Sequence, residues 1–219
     1  MRARNHRDPL QAFRGFFSVL LSAIVVSCPV FAQDSVDAVL ERMKSTSANR
    51  IVYQETRYLE LFDKPVEASG MFYGIPPDSL IKEQLTPSRE VMGILKDRLY
   101  YFDPANGVRH SQARDSEDPM NLHIAAFQSL ANGNRDLLND LYSISFFTEP
   151  GHWYMILSDK NKSRSLIRIT VSGSTQHPAD KIEIHEADDD RSVYRLAKDA
   201  EGEDIRTAVL RLIAELTGQ

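Results

Sequence analysis

Apolar and polar positions alternate with a period of two over most of this chain, giving way in four stretches to the 3.6-residue period of a helix. Arg50 to Phe62 alternates as one long strand, with Val52, Thr56 and Tyr58 on one side and Ile51, Tyr53 and Leu59 on the other. Neither side is cleanly polar, so each face of the sheet is expected to be partly covered, or one of them to enclose an apolar ligand. From Ser69 to Pro104, Met71, Tyr73 and Ile75 alternate with Phe72 and Gly74, and the strand ends at Pro76-Pro77-Asp78. Leu80 to Thr86, Arg89 to Leu95 and Arg98 to Phe102 follow, parted by Pro87 and by Lys96-Asp97. Strands spaced about ten residues apart predict an antiparallel meander. Val108 to Gln112 adds a strand after the Asn106-Gly107 turn, and Tyr142–Phe147, Trp153–Ser158, Leu166–Val171, Lys181–His185 and Ser192–Ala197 complete the set. The total of about ten or eleven predicts a strongly curved, mostly β (α+β) domain.

The helical stretches interrupt this pattern at defined places. Asp34 or Ser35 can cap a helix whose Val36, Val39, Leu40 and Met43 form one apolar stripe. Asp118 can cap a second helix from Pro119 to about Asn132, with Gly133 as its stop. That helix is apolar around much of its surface: Leu122, Ala125, Ala126, Ser129 and Leu130 share a face, while Ile124 and Phe127 lie elsewhere. Asp136 to Leu141 adds one or two turns. Gly202 to Gln219 reads as an amphipathic helix striped by Ile205, Val209, Leu212, Ile213 and Leu216, either docked on the domain or a frayed tail.

Composition changes the picture mainly at the N-terminus. Arg2, Arg4, Arg7 and Arg14 precede an apolar run of 11 residues, Phe16 to Val26, and Val30-Phe31-Ala32 offers the small residues of a cleavage site. The run is short of the roughly 20 residues a membrane span needs. Residues 1–32 are therefore expected to be a secretory signal cleaved after Ala32, leaving the main domain over 33–200 and the helix or tail over 201–219. The one cysteine, Cys28, lies inside that signal; Val25-Val26-Ser27 before it loosely resembles a lipobox, whereas Pro29 and the better site at Ala32 count against lipidation. Without Cys28 the mature chain has no disulfide or thiolate chemistry. Cleavage removes four arginines and one aspartate, so the net charge moves from 26 − 31 = −5 to 22 − 30 = −8. An acidic chain without a basic patch does not suit nucleic acid.

Catalytic signatures are missing from the pattern. His110, His123, His152, His177 and His185 include no pair at the i, i+4 helix spacing of a zinc site. His185-Glu186 with Asp188, Asp189 and Asp190 suggests a metal site only superficially, because strand neighbours point to opposite faces and an acidic cluster after a strand is usually a solvated turn. Ser172-Gly173-Ser174 falls in a hairpin loop, not on a nucleophile elbow, and no phosphate-cradling glycine loop occurs. Neither an enzyme, a cofactor nor a metal is expected.

Two motifs carry a resemblance to a known family. The order strand, Pro-Asp, strand, Thr-Pro, strand, Lys-Asp turn, then Leu99-Tyr100-Tyr101-Phe102-Asp103-Pro104 resembles the periplasmic lipoprotein carrier LolA and its relatives. Asp188-Asp189-Asp190-Arg191-Ser192-Val193-Tyr194-Arg195-Leu196 is similar to the acidic turn and strand near the end of that fold. The resemblance implies an incomplete antiparallel β-barrel whose concave face is covered by helices acting as a lid over an apolar cavity. It implies a periplasmic, monomeric carrier that takes acyl chains of lipoprotein or another lipid from an inner-membrane exporter to an outer-membrane acceptor. Pro76-Pro77 stands where the carriers have arginine followed by proline, and Lys82 where an aromatic residue is usual, which favours a different lipid or acylated product as cargo. A lipid-sensing regulator on the same fold is the alternative, followed by an uncharacterised periplasmic hydrolase. An acyl chain gains about 0.8 kcal/mol per methylene removed from water, so such a site is built from large apolar residues. The candidates for lipid contact are Tyr53, Met71, Tyr73, Met92, Ile94, Tyr101, Phe127, Leu130 and Trp153.

Overall fold

The period-two segments pair with their sequence neighbours in a computed structural model that describes residues 34–77, 79–113, 119–160, 166–186 and 188–219. The segment read as a secretory signal with Cys28, the expected turn residue Asp78, the expected helix cap Asp118 and the side chains of 119–124 lie outside the described residues. Eleven strands form one antiparallel sheet: β1 (Asn49–Tyr58), β2 (Val66–Ile75), β3 (Ser79–Thr86), β4 (Glu90–Leu95), β5 (Arg98–Asp103), β6 (Val108–Ala113), β7 (Tyr142–Glu149), β8 (His152–Asp159), β9 (Leu166–Ser174), β10 (Lys181–Glu186) and β11 (Arg191–Glu201). The spatial order is β6-β5-β4-β3-β2-β1-β11-β10-β9-β8-β7. β1 pairs with β11, which joins two meanders, and β6 and β7 remain as edges. The barrel is thus incomplete, as expected.

Four helices pack on it: α1 (Val36–Met43), α2 (Pro119–Ala131), α3 (Arg135–Leu141) and α4 (Glu203–Thr217). Ser35 starts α1 by accepting a hydrogen bond from the Ala38 backbone N–H at 3.2 Å. Gly133 stops α2 with φ +63°, and a Cβ there would come within 3.0 Å of the Leu40 carbonyl oxygen, so the chain turns tightly against α1. The Asn134 side chain then caps α3 by accepting from the Leu137 N–H.

Because strand residues alternate, the sheet has two separately covered faces. On the inner face, Val39 and Leu40 of α1, Ala126 and Leu130 of α2 and Leu138 of α3 pack on Tyr53, Trp153, Met155, Leu157, Ile169, Val171 and Ile182. On the outer face, Ile205, Val209, Leu212 and Leu216 of α4 pack on Tyr73, Ile81, Val91 and Phe102. The C-terminal stripe is therefore a docked helix, on the side of the sheet opposite the other three. Gly93 makes this docking possible, since a Cβ there would lie 2.8 Å from Leu216 Cδ1. Arg89 ties the helix down, pairing with Glu215 at 2.6 Å and with Glu83 at 2.8 Å. Among the described residues, no helix is long and apolar enough to cross a membrane.

Candidate functional site

The inner helices cover mainly the β7–β11 side and β1; beside them lies a cavity of about 370 Å³. Register explains its lining. Leu80 pairs with Ile94, Lys82 with Met92 and Ile94 with Leu99, so side chains on one face of β3, β4 and β5 form a common wall. Phe127 of α2 and Phe72 of β2 border the cavity with rings 6.0 Å apart, and Tyr194 meets Phe127 edge-on at 5.9 Å. Leu59 extends the lining just past β1.

The remaining lining is charged. Glu55 is 1% exposed and sits opposite Tyr194 in the β1–β11 register. Its carboxylate accepts from Arg57 Nε at 2.5 Å and Nη2 at 3.1 Å, from Lys82 Nζ at 2.7 Å and from the Tyr194 hydroxyl at 2.8 Å. A buried charge survives only when paired and hydrogen-bonded, and this one has four donors. Burial works to raise the Glu55 carboxyl, but the bonds from Arg57 and Lys82 together outweigh it and hold the group below the ordinary carboxylate range. Burial pulls the Lys82 ammonium down against the attraction of Glu55. The same ammonium lies 5.0 Å from the Tyr53 ring centroid and 5.1 Å from that of Tyr194, in cation–π range. Burial first, then the Glu55 charge, pushes the Tyr194 hydroxyl well above its ordinary value.

Glu186 and Asp190 contribute two further carboxylates to the lining. With Asp188 they place ligand oxygens within 4.8 Å of one another. Asp190 also closes the turn, since its Oδ1 accepts from the Glu60 N–H at 2.8 Å and its carbonyl accepts from the Glu186 N–H at 2.9 Å. Burial, then Asp188 and Asp190, raises the Glu186 carboxyl.

The residues singled out from sequence separate by strand parity. Met92, Ile94 and Phe127 line the cavity. Tyr53, Leu130 and Trp153 lie on the same face but in the packed core beside it. Tyr101 follows the parity of Met92 one strand further and stacks on His110 at 6.5 Å. Met71 and Tyr73 alternate with cavity-lining Phe72 and so point to the outer face, into the core beneath α4. Sequence reasoning missed Glu55, Arg57, Lys82 and Tyr194 as a group. A signal existed: on β1, Glu55 and Arg57 share the parity of Tyr53, which puts charges on an inward-facing row.

No family model matches this chain, and no curated protein matches it. Solved structures do. They include a LolA superfamily protein from Nitrosomonas europaea, 9% identical, covering 77% of this chain and 93% of that one with a TM-score of 0.43. An outer membrane lipoprotein-sorting protein domain from Vibrio parahaemolyticus is 8% identical, covering 80% and 97% with a TM-score of 0.42. LprF from Mycobacterium bovis is 11% identical, covering 78% and 97% with a TM-score of 0.35. At these identities and TM-scores the likeness carries no argument about function, and the chemistry has to come from the cavity itself.

Proposed function

We propose that this protein binds the acyl chain of a lipid or acylated molecule in the inner-face cavity and carries it through the periplasm between membranes. The observation that supports this reading is the apolar wall of Leu80, Met92, Ile94 and Leu99, which borders open space where the opposite half of the same face is packed solid by helices. Water in contact with such a wall is displaced favourably, at about 0.8 kcal/mol per methylene of an entering chain. At about 370 Å³ the cavity falls near the lower end of the roughly 300–1,000 Å³ typical of ligand sites, a size suited to one chain.

Met92, Ile94 and Phe127 are the proposed chain contacts among the residues read from sequence. Phe127 belongs to α2, so movement of that helix would admit or release the chain. An inner-membrane donor and an outer-membrane acceptor complete the proposed route, with export directed by residues 1–32. The reading is tested on protein purified from the periplasm, by lipid extraction and by titration with a fluorescent fatty-acyl probe. One bound chain per molecule is expected, with Met92→Glu reducing uptake on the order of tenfold or more, because chain binding would then bury a carboxylate. A preparation that yields no lipid and takes up no acyl probe would refute the carrier reading.

A further inference from the structure

The cavity has two unlike walls, and the polar one constrains the ligand's head as the apolar one constrains its chain. Leu80, Met92, Ile94 and Leu99 on β3–β5 make the apolar wall, whereas Arg57 of β1, Lys82 of β3, Glu186 at the end of β10 and Asp190 before β11 carry charge. Glu55 engages both cations without exhausting them. It takes Arg57 through Nε and Nη2, and Lys82 through one proton, with Tyr194 accepting a second at 3.4 Å. Arg57 Nη1 and the third Lys82 proton have no partner among the described residues. Arg57 is also 37% exposed, so its outer edge is accessible.

Glu186 presents the opposite need. Its half-buried carboxylate takes no hydrogen bond or ion pair among the described residues; Asp188 and Asp190 lie beside it, and Arg57 attracts it only from beyond ion-pair distance. The unused donors and the unpaired carboxylate then discriminate between heads. The lining holds two cations, Arg57 and Lys82, against three carboxylates, Glu55, Glu186 and Asp190. A fatty acid would bring a fourth carboxylate into the lining, and an alkylamine would leave unmet the Arg57 and Lys82 donors that Glu55 does not use. A head carrying both an anion and an ammonium satisfies both sets.

Building on the acyl-binding reading above, we infer that the ligand is a single-chain amphiphile with a zwitterionic head, its chain along β3–β5, its anion on Arg57 and Lys82 and its ammonium on Glu186 and Asp190. Phosphoethanolamine is one such head, and a carboxylate–ammonium pair is another.

The test is displacement of a fluorescent acyl probe from the full mature chain by ligands of one chain length: lysophosphatidylethanolamine, an acylcarnitine, a fatty acid, a monoacylglycerol and an alkylamine. A zwitterion is expected to bind on the order of tenfold more tightly than the monoacylglycerol, the gain of about one charged hydrogen bond. The two zwitterions differ in anion and in ammonium, the acylcarnitine's being quaternary, so tighter binding of either one supports the inference. Glu186→Gln is expected to remove most of the preference for the zwitterion over the fatty acid, and Glu186→Lys to reverse it. Lys82→Met is expected to weaken the zwitterion but not the monoacylglycerol; because it strands Glu55, the Glu186 variants are the decisive ones. Equal binding of all five ligands overturns the head-group inference and leaves chain binding standing, as does a fatty acid or alkylamine that binds tightest. Failure of every ligand to displace the probe, or of the probe to bind, removes the acyl-binding reading itself.

Discussion

Tyr53 and Glu55, two residues apart on β1, show how the same inner face treats polar groups differently. The Tyr53 hydroxyl is buried with no hydrogen-bond partner among the described residues, whereas Glu55 has four donors. An unmet buried hydroxyl costs about 1–3 kcal/mol, so Tyr53→Phe should leave stability unchanged or raise it, measured by urea denaturation. Lys82→Met should do the reverse: it leaves a buried carboxylate with fewer partners and is expected to cost about 1–3 kcal/mol, reduced from the fully buried case because the Lys82 side chain is 20% exposed. Adding Glu55→Gln to it should restore part of the loss. The two carboxylates also predict opposite pH responses. The folded Glu55 value is depressed, so its contribution is present above the ordinary carboxylate value near 4.3 and is lost as pH falls through the folded value. The folded Glu186 value is raised by burial, then by Asp188 and Asp190, against a smaller lowering by Arg57. Its ionisation therefore costs stability once pH rises through that value. Glu186→Gln should stabilise the protein at pH 7 by no more than about 1 kcal/mol after solvent screening, with no difference at a pH below the ordinary carboxylate range. A thermal melt at the two pH values checks this, and a gain at the lower pH would contradict it.

At the scale of elements, α4 holds the outer face of β2–β5, the strands whose inner face forms the apolar wall of the cavity. Its contact is close because Gly93 has no side chain. Gly93→Val should push Leu216 outward and cost about 1–3 kcal/mol, the usual range for overpacking, read as a lower denaturation midpoint. Arg89→Ala should cost less, about 0.5–1 kcal/mol, because Arg89 and Glu215 are each about one-third exposed. If the Gly93 and Arg89 variants proved equally mild, α4 would be a loosely held appendage. The strands and helices themselves were legible in the sequence to within a few residues, since period-two runs bounded by Pro, Gly and Asp have few alternatives. Side-chain direction was less so. Met71 and Tyr73 are as large and apolar as Phe72, and nothing local says which parity faces the cavity; that depends on which face the helices occupy.

For the molecule as a whole, ligand binding should raise thermal stability by mass action, by about 2.7 kcal/mol at a ligand concentration one hundred times its Kd. A melting temperature that stays fixed as acyl ligand is added would argue against a site in the folded state. The sequence by itself determined the succession of about eleven strands, the helices between them and the resemblance at residues 69–104 and 188–196, because periodicity, turn chemistry and motif order are local properties. Tertiary structure alone decided that β1 joins β11, that α4 lies opposite the other helices, and that Glu55, Arg57, Lys82 and Tyr194 converge. Those residues span three strands and nearly 140 positions, from Glu55 to Tyr194. Their meeting is fixed by strand register and by which face is buried, long-range quantities that no window of sequence contains.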